Sequence, residues 1–405
     1  MNNSATVDFT YTPAANFVGV DSFLFSASDG KDASNTGKVT VIVTSGQSPV
    51  VAGLVTTSSG APLGGVAIFL NGSKQRTTIT DENGFYSLDK VDAGPQAITP
   101  LLANFGFSPG GRSITVTGDQ TDLVFAGTRN PTGTANAIDA TEFFVRQNYL
   151  DFLDREPDQS GFDFWTNNIR GCTPQPSCTE VQRLNTSAAY FLSIEFQQTG
   201  YLAERFYKAA YGDAVGTSTV GGTHQLAVPI VRFEEFQADL EQLRTGLIVG
   251  QTGWETVLEN NKQAFANNFV KRLRFSSAYS TTLTPAQYVD LLFAKPGVTP
   301  SAADRNAAIA EFGSATNTSD LAARARALRR VAENSTFINQ EFNRAFVLMQ
   351  YFGYLRRDPN AASDRDYSGY DFWLTKLNQF NGNYISAEMV KAFINSSEYR
   401  HRFGP

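Results

Sequence analysis

Two stretches of the sequence carry oxygen ligands at a spacing suited to a hard cation. Glu156-x-Asp158-x-Ser160-Gly161-x-Asp163 and Asp364-x-Asp366-x-Ser368-Gly369-x-Asp371 aim alternate side chains around a Gly turn. A calcium loop begins in this way, wrapping Ca²⁺ in about six to eight oxygens. The twelfth position, where a bidentate Glu closes such a loop, holds Asn167 in one stretch and Thr375 in the other. The candidate ligands are thus Asp158, Ser160, Asp163, Asp364, Asp366, Ser368 and Asp371, with Ca²⁺ as the one conceivable cofactor. The competing reading, which the missing Glu favours, is that Asp and Ser cap the helix after the turn while Trp165 and Trp373 anchor it in a core.

Other reactive side chains are sparse. The two histidines, His224 and His401, lie outside any metal or nucleophile motif, and neither a Gly-x-Ser-x-Gly elbow nor a phosphate-binding Gly loop occurs. Glu234-Glu235, between Phe233 and Phe236, reads as the wet face of an amphipathic helix. No enzymatic activity is expected, and only a carboxylate pair assembled in three dimensions would make the chain a hydrolase. The two cysteines, Cys172 and Cys178, enclose Thr-Pro-Gln-Pro-Ser and have no second ligand pair for a metal, so they are expected to form a small disulfide-closed loop in an oxidising compartment. Tyr351, Phe352, Tyr354, Tyr367, Tyr370 and Phe372 are more aromatics than one helix face can bury, which makes a binding patch an alternative to core packing for some of them.

The elements that must position these residues form an internal repeat. Phe144 to Trp165 returns as Phe346 to Trp373, each with Tyr (149, 351), Leu (153, 355), Arg (155, 357), an acid, Pro (157, 359) and Ser-Gly-aromatic-Asp-Phe-Trp. Phe144, Val145, Tyr149, Phe152 and Leu153 fall on one side of a helix that the Pro is expected to stop. Weaker copies start at Tyr201 with Phe206 and at Tyr288 with Phe293. Second helices end the units at 187–196, 264–275, 329–337 and 389–399, with an insertion around 216–250. About four two-helix units over residues 138–405, each burying its apolar face on its neighbours, predict an all-α repeat-like domain.

Before Arg129 the period is two. Val7-Phe9-Tyr11, Phe23-Phe25-Ala27 and Val39-Val41-Val43 read as strands in residues 1–46, with Asp21, Asp29 and Asp32 as turn formers. The wording around Phe9-Thr-Tyr-Thr-Pro13 and Asn16 to Phe23 resembles the end of a bacterial cadherin-like or immunoglobulin-like surface repeat, which implies further strands upstream of Met1. Residues 47–129 offer strands at 51–55, 65–70, 84–88, 96–99, 113–116 and 122–125, with a tight turn at Asp81-Glu-Asn-Gly84. Gly60-Ala-Pro-Leu-Gly-Gly-Val66, Thr80 to Tyr86 and Phe105-Gly-Phe-Ser-Pro109 resemble the carboxypeptidase regulatory-like, transthyretin-like sandwich. Residues 129–137 are a polar linker. The expected fold class is therefore multidomain, with all-β sandwich modules before the helical domain.

In the helical part, Arg155-Glu-Pro-Asp158 through Gly161 and Trp165, with Phe393-Ile-Asn-Ser-Ser-Glu-Tyr399, resembles a C-terminal domain of unknown function in bacterial secreted and surface proteins, itself similar to the phycobilisome linker domain. The resemblance implies a connector: β-sandwich spacers presenting a scaffolding or adhesion domain to protein, extracellular matrix or glycan. An accessory region of an extracellular hydrolase and a calcium- or glycan-binding module are the alternatives. Of 405 residues, 18% are charged, and the net charge of -6 comes with no basic cluster, so nucleic acid is not expected as a partner. No apolar run approaches the ~20 residues of a membrane span. The start Met-Asn-Asn-Ser lacks a signal peptide's basic and apolar segments, so an extracellular or cell-surface location is expected to rest on a signal in upstream sequence.

Overall fold

The computed structural model describes residues 10–13, 19–26, 28, 37–43, 49–172 and 175–404. The chain separates into two compact units, residues 1–143 and 144–405. The expected strand residues Val7, Phe9 and Ala27 and the turn residues Asp29 and Asp32 lie outside the described residues, as does the side chain of Asp21.

In the first unit, β1 (Gly19–Phe25) and β2 (Gly37–Val43) form an antiparallel pair with Phe23 opposite Val39. Eight strands follow: β3 (Val51–Thr57), β4 (Ala67–Asn71), β5 (Gln75–Ile79), β6 (Phe85–Leu88), β7 (Gly94–Leu101), β8 (Phe105–Ser108), β9 (Arg112–Val116) and β10 (Phe125–Arg129). They make two four-stranded sheets, ordered β6-β3-β10-β8 and β5-β4-β7-β9. The period-two pattern is the cause: alternate residues of β7 are buried, and Val51, Val55, Ile68, Leu70, Ile98 and Phe125 share one core. Asp81 closes the expected tight turn by accepting the N–H groups of Asn83 and Phe85, both at 2.9 Å.

The strands depart from expectation in places, and β5 and β8 were not expected at all. The last strand begins at Phe125 rather than Asp122, because the Leu123 carbonyl leaves the ladder to accept the Tyr86 hydroxyl at 2.8 Å. Strand β5, Gln-Arg-Thr-Thr-Ile, was hidden by its polarity, since the residues it buries include Thr77 and Thr78. The linker is also tied down. The Asn104 side chain donates to the Ala135 carbonyl at 2.7 Å and accepts its N–H at 3.2 Å.

Among the described residues, fifteen α-helices follow: α1 (Thr141–Asn148), α2 (Gln159–Arg170), α3 (Pro176–Leu192), α4 (Ile194–Gln198), α5 (Gly200–Tyr211), α6 (Phe233–Arg244), α7 (Trp254–Phe269) and α8 (Leu273–Ala278), then α9 (Pro285–Ala294), α10 (Ala302–Ala310), α11 (Leu321–Ala332), α12 (Ser335–Met349), α13 (Ser368–Gln379), α14 (Met389–Ile394) and α15 (Ser397–His401). Four of them start alike. Ser193, Arg272, Asn334 and Ser396 are extended cap residues, and the third helical residue after each, Phe196, Phe275, Phe337 and Tyr399, is buried. Ser193, Asn334 and Ser396 accept the N–H of that aromatic, satisfying an otherwise orphan donor.

The helices before the two outer turns do not run on to Pro157 and Pro359. Each widens into a π turn, Tyr149–Leu153 or Gln350–Leu355, and stops at a left-handed residue, Asp154 (φ 48°) or Arg356 (φ 56°). Within the helical unit the first and last repeats meet face to face. Phe152 packs edge-on against Tyr354 at 5.0 Å, the Ser187 and Tyr354 hydroxyls lie 2.5 Å apart, and Arg402 grips the buried Asp151 with both terminal nitrogens. Finally, the insertion contributes a hairpin among the helices, β11 (Ala214–Ser218) paired antiparallel with β12 (His224–Val228). Gly221 and Gly222, both at positive φ, make its bend.

Candidate functional site

The two outer turns share one construction. Tyr149 and Tyr351 are buried, and the Arg that follows each π turn lies over its ring, Arg155 at 5.0 Å and Arg357 at 5.4 Å. Arg155 then forks onto Glu195 at 2.7 and 2.8 Å, and Arg357 onto Glu398 at 2.5 and 3.0 Å. The same guanidinium holds the turn, reaching the Glu156 carbonyl and Asp158 in one copy and the Asp358 carbonyl and Asp364 in the other. Glycine opens the next helix for a steric reason. A Cβ on Gly161 would lie 2.0 Å from the Tyr149 hydroxyl, and one on Gly369 2.4 Å from that of Tyr351.

The seven oxygen donors serve these turns. Asp158 caps α2, accepting the Gly161 N–H at 3.0 Å and the Ser160 hydroxyl at 2.7 Å. Burial raises its pKa, but those hydrogen bonds and the Arg155 charge outweigh burial and hold the carboxyl below its ordinary value. Asp163 accepts the Gln159 amide, Asp364 binds Arg357, and Asp366 accepts the Ser368 N–H. Ser368 accepts the Thr219 N–H at 2.8 Å, and Asp371 accepts the Ser218 hydroxyl at 2.6 Å with His224 Nε2 at 3.2 Å. Among the described residues, no group of three carboxylates, imidazoles or thiols could hold a metal ion.

Sequence reasoning missed the hairpin's part in this. Thr217 accepts the Tyr367 N–H at 2.9 Å, Arg232 donates to the Tyr367 hydroxyl at 3.0 Å, and a Cβ on Gly216 would lie 2.5 Å from the Tyr367 ring. The second turn is thereby gripped by the insertion. The readable signal was the Gly-Gly pair between Val215-Gly-Thr-Ser and Gln-Leu-Ala-Val. Ser218, Asp371 and His224 are also a hydroxyl, a carboxylate and an imidazole in contact. However, the carboxylate is central, so the imidazole is not placed to take the serine proton. His401 is exposed near the C-terminus.

Trp165 and Trp373 are half-buried lids rather than core anchors. They pack at 5.8 Å on Tyr190 and 5.7 Å on Phe393, the aromatics that meet Tyr149 and Tyr351 edge-on. Of the six aromatics weighed for a patch, Tyr351, Phe352, Tyr354, Tyr367 and Tyr370 are buried, while Phe372 is 46% exposed. The Cys172–Cys178 disulfide is present and joins the end of α2 to the first turn of α3. Glu234 is exposed as expected, and Glu235 accepts the Arg232 N–H at the start of α6.

A carboxylate pair does form, deep between α5 and α12. Glu204 and Glu341 are both buried. Glu341 and Asp213 are each bridged by Lys208 and by Arg344, so two cations meet two anions. One Glu204 oxygen has no hydrogen-bond partner. Burial, then the neighbouring Glu341 charge, pushes its pKa well above the ordinary value.

Three families match successive parts of the chain: a bacterial Ig domain over residues 1–42, a carboxypeptidase regulatory-like domain over residues 50–126, and a domain of unknown function (DUF4214) over residues 134–177. The third covers the first outer turn. No curated protein matches the chain. The likeness to the phycobilisome linker domain remains a resemblance of the sequence alone. No helix among the described residues is long and apolar enough to cross a membrane.

Proposed function

We propose that this chain is a non-catalytic part of a large secreted or cell-surface bacterial protein, in which β-sandwich spacers present a helical scaffold that binds a protein, matrix or glycan partner. The observation that carries this reading is the order of modules: Ig and regulatory-like sandwiches in series, then helices. The disulfide adds support, since such bonds persist in oxidising compartments. So does the employment of the polar groups in the outer turns, where every candidate ligand holds a helix start or a neighbouring segment. Protease shaving of intact producing cells, followed by peptide mapping, tests the location. Peptides from both sandwich and helices are expected in the shaved fraction, and recovery of the chain solely from the cytosol would overturn the reading.

A further inference from the structure

We infer that Phe164 and Phe372, each with its adjoining tryptophan, are stacking platforms for sugar rings, so that the scaffold holds a glycan at two equivalent places. This rests on the surface-module reading above and names the partner class.

The two turns have diverged, the second carrying six more residues between its Pro and its Ser-Gly than the first. Nevertheless Ser-Gly-aromatic-Asp-Phe-Trp stands in both. Most of that run is accounted for inside the fold. Gly161 and Gly369 make room for a tyrosine hydroxyl, Phe162 and Tyr370 are buried, and Trp165 and Trp373 cover Tyr190 and Phe393. The phenylalanine before each Trp is not. Phe164 is 57% exposed and Phe372 46%, and each touches its Trp edge-on, at 4.8 and 5.0 Å. An exposed aromatic kept twice in a diverged repeat, with little packing to do, points to something outside the chain.

The size and surroundings of the platform select the class. About half of a phenylalanine is roughly 100 Å² of apolar surface, far from the ~800 Å² per partner of a stable protein interface. It matches the C–H face of one sugar ring. Around it α2 exposes Ser160, Asn167 and Asn168, and α13 exposes Thr375, Asn378 and Gln379, hydroxyls and amides that exchange hydrogen bonds with sugar hydroxyls. Beside the second platform, the Lys376 ammonium lies 5.3 Å from the Trp373 ring. Two weak sites on one scaffold gain affinity together on a polymer with repeating rings.

The test is affinity electrophoresis of the full chain through gels containing a soluble β-glucan, a galactomannan, a xylan or an alginate. Wild-type protein is expected to be retarded in at least one gel. Phe164→Ala and Phe372→Ala should each weaken binding about tenfold, the loss of one stacking contact, and the double variant should migrate as in a blank gel. Both positions are exposed, so an unchanged melting temperature separates lost binding from lost folding. Migration unaltered in all four gels, or retardation that survives the double substitution, overturns the inference. If no gel retards the wild type but the double variant loses capture of a protein from a cell-surface extract, the faces serve a protein instead. None of these results bears on where the chain resides, which the shaving experiment decides separately.

Discussion

Arg155 and Arg357 do the same work with partners of different burial. The Glu195 side chain is 5% exposed, whereas Glu398 is 38% exposed and shares its arginine with Asp364. Removing one partner of a buried pair strands the other charge at a cost of roughly 3 to 5 kcal/mol, while solvent screens the more open pair. Urea unfolding should therefore show Glu195→Ala to be the more destabilising by more than 1 kcal/mol or so, and equal losses would contradict the burial argument. Asp158 is a cap, so Asp158→Ala should cost about 1 kcal/mol. That cost should be the same in EDTA and in millimolar Ca²⁺, because a bound ion would instead raise stability with its concentration. Glu204 adds a pH dependence. Its folded pKa is raised above the ordinary 4.5, so the protonated form stabilises the fold below the unfolded pKa, and that contribution is lost as pH rises through the folded value. Melting temperature should fall with pH above about 4.5, and Glu204→Gln should flatten that part of the profile; an unchanged slope would show that Glu204 is ionised in the fold.

Among the elements, those with a clear period were legible and those made by long-range contact were not. The alternation of Val51-Ala-Gly-Leu-Val55 and the spacing of Phe144, Tyr149 and Phe152 put strands and helices where they occur. The turn repeat was visible because its Tyr, Arg, Gly and Trp each answer to a local contact. The π turns were not, since residues 149–153 read as ordinary helix and the left-handed Asp154 is set by its surroundings, including Arg244 at 2.8 to 2.9 Å. The clasp of β11 and β12 was equally hidden, because Ser218 and Asp371 stand 153 residues apart. Gly216→Val tests that clasp. A side chain there meets the Tyr367 ring and Val228, and crowding of this kind costs about 1 to 3 kcal/mol. Hydrogen exchange at the Tyr367 amide, which bonds to Thr217, should speed up while the amides of α2 keep their protection. Uniform loosening of both turns would instead make the hairpin part of the common core.

In the whole molecule, the helical unit is closed by contacts between its beginning and its end. Asp151, buried beside the first turn, is held by Arg402, 251 residues later, and Ser187 meets Tyr354 across 167. Contacts of such separation come at a large loop-closure entropy and are made late. Synthesis and export both deliver a chain from its N-terminus onward. The sandwich at 51–129 finds all its strands within its own stretch and is complete as soon as that stretch emerges. The helical unit has no such independence. Until Arg402 has emerged, Asp151 lacks its guanidinium and the first turn has no opposite face to rest on. A chain delivered in this order therefore carries a finished sandwich well before its helical unit can close.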